Sequence, residues 1–233
     1  MASNFGGFTT EQFKAVENAF KANFSSGKEF EGASFAVYYK GELVVNLWGG
    51  YADSVTGRLW KEDTLCVVYS STKAVTSLCV AFMVDRGYMS YDDLVMKHWP
   101  EFCKDGRDKV TVQMLMDHMC GLAAIDEPIT LDVISDHRKM STILESQKPN
   151  WEPGTAAGYH PLTHGWLADQ LIRRADPKHR SLGTFLQEEI ADGNLLVSPD
   201  YWHVEIGTAN GIGTAKGLAQ LFSLLVKGNG VKL

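Results

Sequence analysis

The sequence predicts an α/β fold, in which a partial antiparallel sheet flanked by helices is joined to an α-helical subdomain. Residues 34–51, "SFAVYYKGELVVNLWGGY", contain two β-rich runs joined by Lys40-Gly41, which predicts a hairpin. Helical periodicity then dominates, and the last predicted helix carries an apolar stripe of Leu218, Leu221, Phe222 and Leu225. Because an isolated hairpin is marginally stable, it needs further strands, and we find no convincing one after residue 206.

Capping residues and periodicity predict the helices in order. Thr9 and Gln12 resemble a capping box and predict a first helix over residues 10–24. Gly87 ends a helix over residues 70–86, and Ser90 and Pro100 bound the next one. Further helices are predicted near residues 111–121, 130–147, 162–175 and 183–190. We therefore expect residues 1–65 to form the first part of the α/β subdomain, residues 66–206 the α-helical subdomain, and residues 207–233 a helix that returns to the α/β subdomain.

Composition excludes several classes of partner. The 233 residues are 45% hydrophobic and 21% charged, with a net charge of −6, which is typical of a globular protein. The sequence has no long basic run, so we expect neither nucleic acid nor membrane as a partner. The opening stretch "MASNFGGFTTEQF" lacks the features of a signal peptide, so we expect a cytoplasmic protein with four reduced cysteines.

Lys73 lies within the apolar run "VVYSSTKAVTSLCVAFMV", residues 67–84. A buried lysine is costly unless it is paired or neutral. Ser70 precedes it by three residues and shares its helical face, whereas Ser71 does not. A helix N-terminus disfavours the ammonium form, and a neutral amine can act as general base for the hydroxyl. The S-x-x-K pattern also recurs by chance, so an exposed capping serine near a surface lysine remains the alternative.

Tyr159 and three histidines are the other candidates for chemistry. Tyr159 follows a turn-forming Pro153-Gly154 and either packs in the core or directs its phenol into a cleft. His160 and His164 have H-x-x-x-H spacing, but the intervening Pro161 breaks the helix that zinc binding would need. We therefore expect no metal and no cofactor. His118 is embedded in a predicted helix, which favours a hydrogen-bonded role in the core.

Five segments resemble one known superfamily and occur in its order along the chain. They are "SSTK" at 70–73, "RGYMSYDDLVMKHWPEF" at 86–102, "VTVQMLMDHMCGL" at 110–122, "WEPGTAAGYH" at 151–160 and "NGIGTAKGLAQLF" at 210–222. The chain resembles the serine β-lactamase and penicillin-binding-protein superfamily, in the class C-like branch with family VIII carboxylesterases and eukaryotic β-lactamase-related proteins. The resemblance implies a β-lactamase/transpeptidase-like fold.

The same resemblance implies the activity and the catalytic residues. Ser70 resembles the acylated nucleophile, and Lys73 resembles its base and proton shuttle. Tyr159 resembles the tyrosine that protonates the leaving group and activates water for deacylation. The implied protein is a serine hydrolase that forms an acyl-enzyme with small esters, amides or β-lactam-like rings.

The sequence departs from the family pattern in three places. Pro161 stands where β-lactamases of the family have asparagine, which favours esters over β-lactams. Cys120 replaces a serine, and we expect that change to be structural. The strands with the family's third active-site motif are missing after Leu233, so we expect a C-terminally truncated chain. An impaired pseudoenzyme that acts as a binding module is therefore the alternative, and an unpaired sheet edge leaves aggregation or a homo-oligomer open.

Overall fold

A computed structural model of the protein describes residues 4–190 and 207–226. The chain divides into two compact units. Among the described residues, the first unit contains residues 4–66 and 212–226, and the second contains residues 67–190 and 207–211. The sequence grouped residues 207–211 with the last helix, whereas they belong to the second unit.

The first unit contains an antiparallel sheet with the strand order β1-β3-β2, and a short fourth strand pairs with β3. Its strands are β1 (Phe5–Thr9), β2 (Gly32–Tyr39), β3 (Glu42–Asp53) and β4 (Arg58–Leu59). The predicted hairpin is confirmed, and it places Val37 opposite Val45. Lys40 and Gly41 both have positive φ, 52° and 81°, as a two-residue hairpin turn of the primed type requires.

Strand β1 is absent from the prediction because its sequence, "FGGFT", has low β-propensity. Gly7 has a φ of 101°, and a side chain there would collide with the Asn46 carbonyl. The predicted capping box is wrong, because Thr9 is the last residue of β1. A 3₁₀ turn at Glu11–Phe13 leads instead into helix α1, Lys14–Ser25.

The last helix of the first unit, α8 (Ala215–Val226), packs on β2. Its predicted apolar stripe is only partly covered. Leu221 is buried, Leu218 and Phe222 are half-buried, and Leu225 is 40% exposed. The core of this unit lies between α1 and the sheet, where Phe20, Val44, Val45 and Leu47 are buried.

The second unit is built from helices, as the sequence predicts. They are α2 (Thr72–Asp85), α3 (Val112–Met116), α4 (Leu131–Ile134), α5 (His137–Ser146), α6 (Thr163–Ala175) and α7 (Leu182–Glu189). Two further short strands are β5 (Cys66–Val67), where the chain passes from the first unit to the second, and β6 (Ile212–Gly213), which belongs to the first unit. No helix in the described ranges has the length and apolarity needed to cross a bilayer.

One predicted helix of this unit is wrong, and another is too long. The segment bounded by Ser90 and Pro100 forms 3₁₀ turns at Val95–Lys97 and Pro100–Phe102, because Leu94 is extended and bridges to Thr111. The helix predicted to reach residue 121 ends at Met116, and His118 beyond it adopts a left-handed φ of 62°.

Helix α6 lies at the centre of the second unit. One buried cluster includes Trp99, Leu115 and Leu167. A second cluster includes Met83, Leu171 and Phe185. Because α6 contributes to both clusters, every residue from Thr163 to Ile172 is buried. The N-terminal end of α6 is therefore a rigid support for the loop that precedes it, which carries Tyr159.

Candidate active site

All side chains of the candidate site belong to the second unit. Ser70 lies in a 3₁₀ turn, Tyr69–Ser71, and α2 begins at Thr72 rather than at Ser70 as predicted. Residues three apart along a helical segment lie on the same face. The Lys73 Nζ atom accordingly donates a hydrogen bond of 3.2 Å to Ser70 Oγ. The predicted pairing of these two residues is present, while Ser71 is exposed.

The turn that presents Ser70 contains an unusual backbone conformation. Tyr69 has a φ of 44°, in the left-handed region, which costs a residue with a side chain about 1–2 kcal/mol. Its side chain is 71% exposed, so packing of the ring does not account for the conformation. Strained residues of this kind cluster at functional sites.

Lys73 is buried, with 8% of its surface exposed. Besides its hydrogen bond to Ser70, Nζ donates a hydrogen bond of 3.1 Å to the Thr208 carbonyl oxygen. The amine also lies 4.8 Å from the centre of the Tyr159 ring. Among the described residues, no carboxylate forms an ion pair with Lys73. The site therefore holds the amine with neutral oxygens and an aromatic ring.

The Thr208 carbonyl is a functional group that the sequence did not reveal. The segment of residues 207–211 is held against α2, where the Thr76 hydroxyl donates to the Gly207 carbonyl and the Gly211 N–H donates 3.0 Å to Thr72 Oγ1. These bonds place the Thr208 carbonyl beside Lys73. A backbone carbonyl has no residue-type signature, so no sequence signal could have identified it.

Two glycines allow this segment to approach helix α6. A Cβ atom added at Gly165 would lie 2.6 Å from the carbonyl carbon of Gly207, well inside the usual contact distance of about 3.5–4 Å. A glycine inside a helix lowers helix stability by about 1 kcal/mol relative to alanine. We infer that Gly165 is needed for the close approach that positions Thr208.

Tyr159 lies in the loop before α6, and its side chain contacts Ser70. Its Oη atom donates a hydrogen bond of 2.7 Å to Ser70 Oγ. The side chain is 54% exposed, so the phenol is open to solvent. The Lys73 amine, followed by the hydrogen bond with Ser70, lowers the pKa of the Tyr159 phenol below its usual value. The structure thus brings together all three predicted residues, and their catalytic roles remain predictions.

His160 and His164 do not form a pair of ligands. His160 is fully buried: its Nδ1 bonds with the Gly158 carbonyl, and its Nε2 accepts the Leu122 N–H at 3.0 Å. Burial lowers the pKa of His164 to about 4, with the charges on His118 and Lys73 contributing. No group of three or more histidine, cysteine, aspartate or glutamate side chains among the described residues is arranged to hold a metal ion.

Cys120 is buried beside His160, with its Sγ 3.4 Å from Nε2. Burial raises the pKa of this thiol to about 11, so it is not a nucleophile at neutral pH. The replacement noted in the sequence therefore places a small buried side chain behind the loop that carries Tyr159.

The arrangement has the parts that nucleophilic catalysis requires. Ser70 Oγ contacts two groups, Lys73 and Tyr159, that can exchange protons with it. The Ser70 N–H has no hydrogen-bond acceptor within residues 4–190 and 207–226, since it lies in the first turn of a helical segment. This N–H is therefore free to stabilise an oxyanion that forms next to Ser70 Oγ.

The chain is similar to several known proteins. The protein is similar to the esterase/beta-lactamase LipL of Mycobacterium tuberculosis, with 34% identity over 186 residues, which cover 80% of this chain and 42% of LipL. It is also similar to a family VIII carboxylesterase of known structure, with a TM-score of 0.88 and 30% identity. A penicillin-binding protein homologue from Caulobacter crescentus gives a TM-score of 0.89 and 33% identity.

Each of these two solved structures matches 97% of this chain, and the chain matches 72% of each of them. The chain therefore spans less than half the length of LipL and about three quarters of the solved structures. The β-lactamase/transpeptidase-like fold predicted from the sequence is confirmed by both structures. Residues 20–232 match the Beta-lactamase family, and the chain belongs to that family.

Proposed function

We propose that the protein is a serine hydrolase that forms an acyl-enzyme at Ser70 with small ester substrates. One observation carries this proposal: the Lys73 amine and the Tyr159 phenol both bond to Ser70 Oγ, at 3.2 and 2.7 Å. We prefer an active hydrolase to a pseudoenzyme because none of the three groups is lost or displaced.

In the acylation step, Ser70 Oγ attacks the carbonyl carbon of the ester and its proton passes to the Lys73 amine. The Ser70 N–H donates to the oxyanion of the tetrahedral intermediate. When the intermediate collapses, the bond to the alcohol oxygen breaks and Tyr159 protonates the leaving alkoxide. In the acyl-enzyme, Lys73 therefore carries the proton taken from Ser70 and Tyr159 is a phenolate, so protons balance over the step.

In the deacylation step, water attacks the acyl carbon while the Tyr159 phenolate accepts a proton from that water. The bond to Ser70 Oγ breaks, and Oγ recovers its proton through Lys73. The lowered pKa of Tyr159 supports this role, because it increases the fraction of phenolate available near neutral pH.

We propose esters rather than β-lactams as the preferred substrates. Pro161 replaces the asparagine that the resemblance leads one to expect, and proline has no side-chain amide to bind a substrate. The Thr208 carbonyl, which lies beside Lys73, can only accept hydrogen bonds. The names of the relatives cover both chemistries, since they include an esterase/beta-lactamase and a carboxylesterase.

The test compares hydrolysis of p-nitrophenyl esters and of a chromogenic cephalosporin by the protein and by its Ser70→Ala variant. We expect ester turnover that exceeds cephalosporin turnover and that disappears in Ser70→Ala. Ester turnover that persists in Ser70→Ala would contradict the proposal, and faster turnover of the cephalosporin would contradict the substrate preference.

We also propose that the protein acts in a reducing compartment such as the cytoplasm. All four cysteines are free thiols, and Cys79 and Cys120 are buried. The measurement is the thiol titre of protein purified from its native source under alkylating conditions. Four alkylated cysteines are expected, and a disulfide would contradict the assignment.

A further inference from the structure

His118 has an unexpected location beside the candidate site. The sequence placed it within a helix of the core, but it lies just after α3 and is half-buried. Its φ of 62° is left-handed, a conformation in which histidine is uncommon but several-fold more frequent than most residues with side chains. The turn at His118 directs both its main chain and its ring towards the loop that carries Tyr159.

His118 accepts hydrogen bonds from the two residues that flank Tyr159. The Gly158 N–H donates 3.1 Å to the His118 carbonyl oxygen. On the other side of Tyr159, the His160 N–H donates 3.2 Å to Nδ1 of the His118 ring. The ring also packs on the phenol of Tyr159, with 5.2 Å between ring centres. One residue thus fixes the backbone on both sides of the tyrosine and contacts its ring.

We propose that His118 is a positioning residue for Tyr159, and that the acceptor nitrogen Nδ1 of its ring keeps the Tyr159 phenol within hydrogen-bond distance of Ser70. This inference rests on the proposed function, in which Tyr159 transfers protons at Ser70. Tyr159 needs such a support because its side chain is half-exposed and its loop precedes α6 rather than forming part of it. A shift of about 1 Å at a reacting group can reduce the rate on the order of 10²-fold.

The support requires a neutral His118 ring, because Nδ1 must offer a lone pair to the His160 N–H. Burial and the charge on Lys73 lower the pKa of His118, and the Asp117 carboxylate opposes them only in part. Its other titratable neighbours are Tyr159, His160 and His164, whose rings pack around it. Lowered pKa values of His160 and His164 keep these two rings neutral as well.

Two substitutions at position 118 separate the ring acceptor from the backbone conformation. Glycine and asparagine both tolerate a positive φ, but only asparagine keeps an acceptor near the position of Nδ1. We expect His118→Gly to lower the kcat for ester hydrolysis by about 10²-fold with KM nearly unchanged, and His118→Asn to recover most of that loss. His179→Gly is the matched control, because His179 has a φ of 54° and bonds to the Arg173 carbonyl, not to a residue of the site.

The deciding measurement is a double-mutant cycle between His118→Gly and Tyr159→Phe, with kcat as the readout. If His118 acts through the Tyr159 hydroxyl, His118→Gly has little further effect once that hydroxyl is absent. Full additivity of the two losses would overturn the inference and would indicate a purely structural role. If His118→Gly does not unfold cooperatively, the His118→Asn variant provides the test. A loss of kcat greater than about tenfold in His118→Asn would also overturn the inference.

Failure of the proposed function gives a different result. If Tyr159→Phe alone leaves kcat unchanged, the role of Tyr159 at Ser70 is wrong, whatever His118 does. If Tyr159→Phe is impaired while His118→Gly matches the unmodified protein, only the inference about His118 fails.

Discussion

Tyr159 Oη lies 2.7 Å from Ser70 Oγ, although 89 residues separate the two in the sequence. Lys73, three residues after Ser70, contacts both the serine hydroxyl and the tyrosine ring. A hydroxyl between an amine and a phenol can lose its proton to one group and regain it from the other. This relationship between Ser70 and Tyr159 is the basis of the proposed mechanism.

Replacement of Tyr159 by phenylalanine tests the hydroxyl alone. Phenylalanine keeps the ring and its packing on His118, but it cannot exchange a proton with Ser70. We expect Tyr159→Phe to reduce kcat by about 10²–10⁴-fold, the usual contribution of general acid–base catalysis, with little change in melting temperature. An equal loss in Tyr69→Phe, which alters an exposed tyrosine beside Ser70, would show that the effect is not specific to Tyr159.

The pH dependence of deacylation tests the contact between Lys73 and Tyr159. The Lys73 amine is the largest cause of the lowered pKa of Tyr159, so its removal raises that pKa. A higher pKa means less phenolate at a given pH, and the rise of the deacylation rate should move to higher pH in Lys73→Ala. Single-turnover rates of an isolated acyl-enzyme, measured against pH, give the midpoint. If the midpoint of the deacylation rate against pH is the same in Lys73→Ala as in the unmodified protein, the phenolate of Tyr159 is not the base for deacylation.

Gly165→Ala tests the position of the Thr208 carbonyl. The added methyl group collides with the Gly207 backbone and should push the segment of residues 207–211 away from Lys73. We expect kcat to fall by about 10- to 100-fold, because Lys73 loses its second acceptor. Circular dichroism and the melting temperature provide the control, since alanine by itself favours a helix. Unchanged kcat in a folded Gly165→Ala protein would show that this contact is dispensable.

Arg107 provides a prediction about stability. Its fully buried guanidinium donates to the carbonyls of Leu144 and Glu145, at 2.7 and 2.6 Å. Arg107→Met leaves these acceptors unpaired and should lower the free energy of unfolding by about 1–3 kcal/mol. Arg138→Met is the matched control on the exposed face of α5, where we expect a change within about 0.5 kcal/mol. Urea denaturation measures both, and equal stability of the two variants would contradict the prediction.

The sequence predicted the parts of the site that depend on local spacing. Ser70 and Lys73 are three residues apart, so any helical turn places them together. Tyr159 could be paired with them only through the resemblance to a family, because no local rule connects residues so far apart. The hairpin at Lys40-Gly41 was likewise predictable, since its turn residues determine its geometry.

The features that the sequence did not reveal depend on tertiary contacts. Strand β1 contains two glycines and forms because β3 pairs with it. The Thr208 carbonyl lies beside Lys73 because Gly165 and Gly207 allow a close approach between two distant segments. His118 was assigned to a helix by periodicity, but its hydrogen bonds on both sides of Tyr159 accompany a left-handed turn. Propensity and periodicity contain none of this information.

The most direct test of the central claim is to locate the covalent adduct formed with a fluorophosphonate probe. Labelled protein is digested, and the modified residue is identified by mass spectrometry in the unmodified protein and in the Ser70→Ala, Ser71→Ala and Lys73→Ala variants. We predict one adduct, on Ser70, which is lost in Ser70→Ala, strongly slowed in Lys73→Ala and retained in Ser71→Ala. An adduct on another residue, or equal labelling of Ser70→Ala and the unmodified protein, would contradict the account.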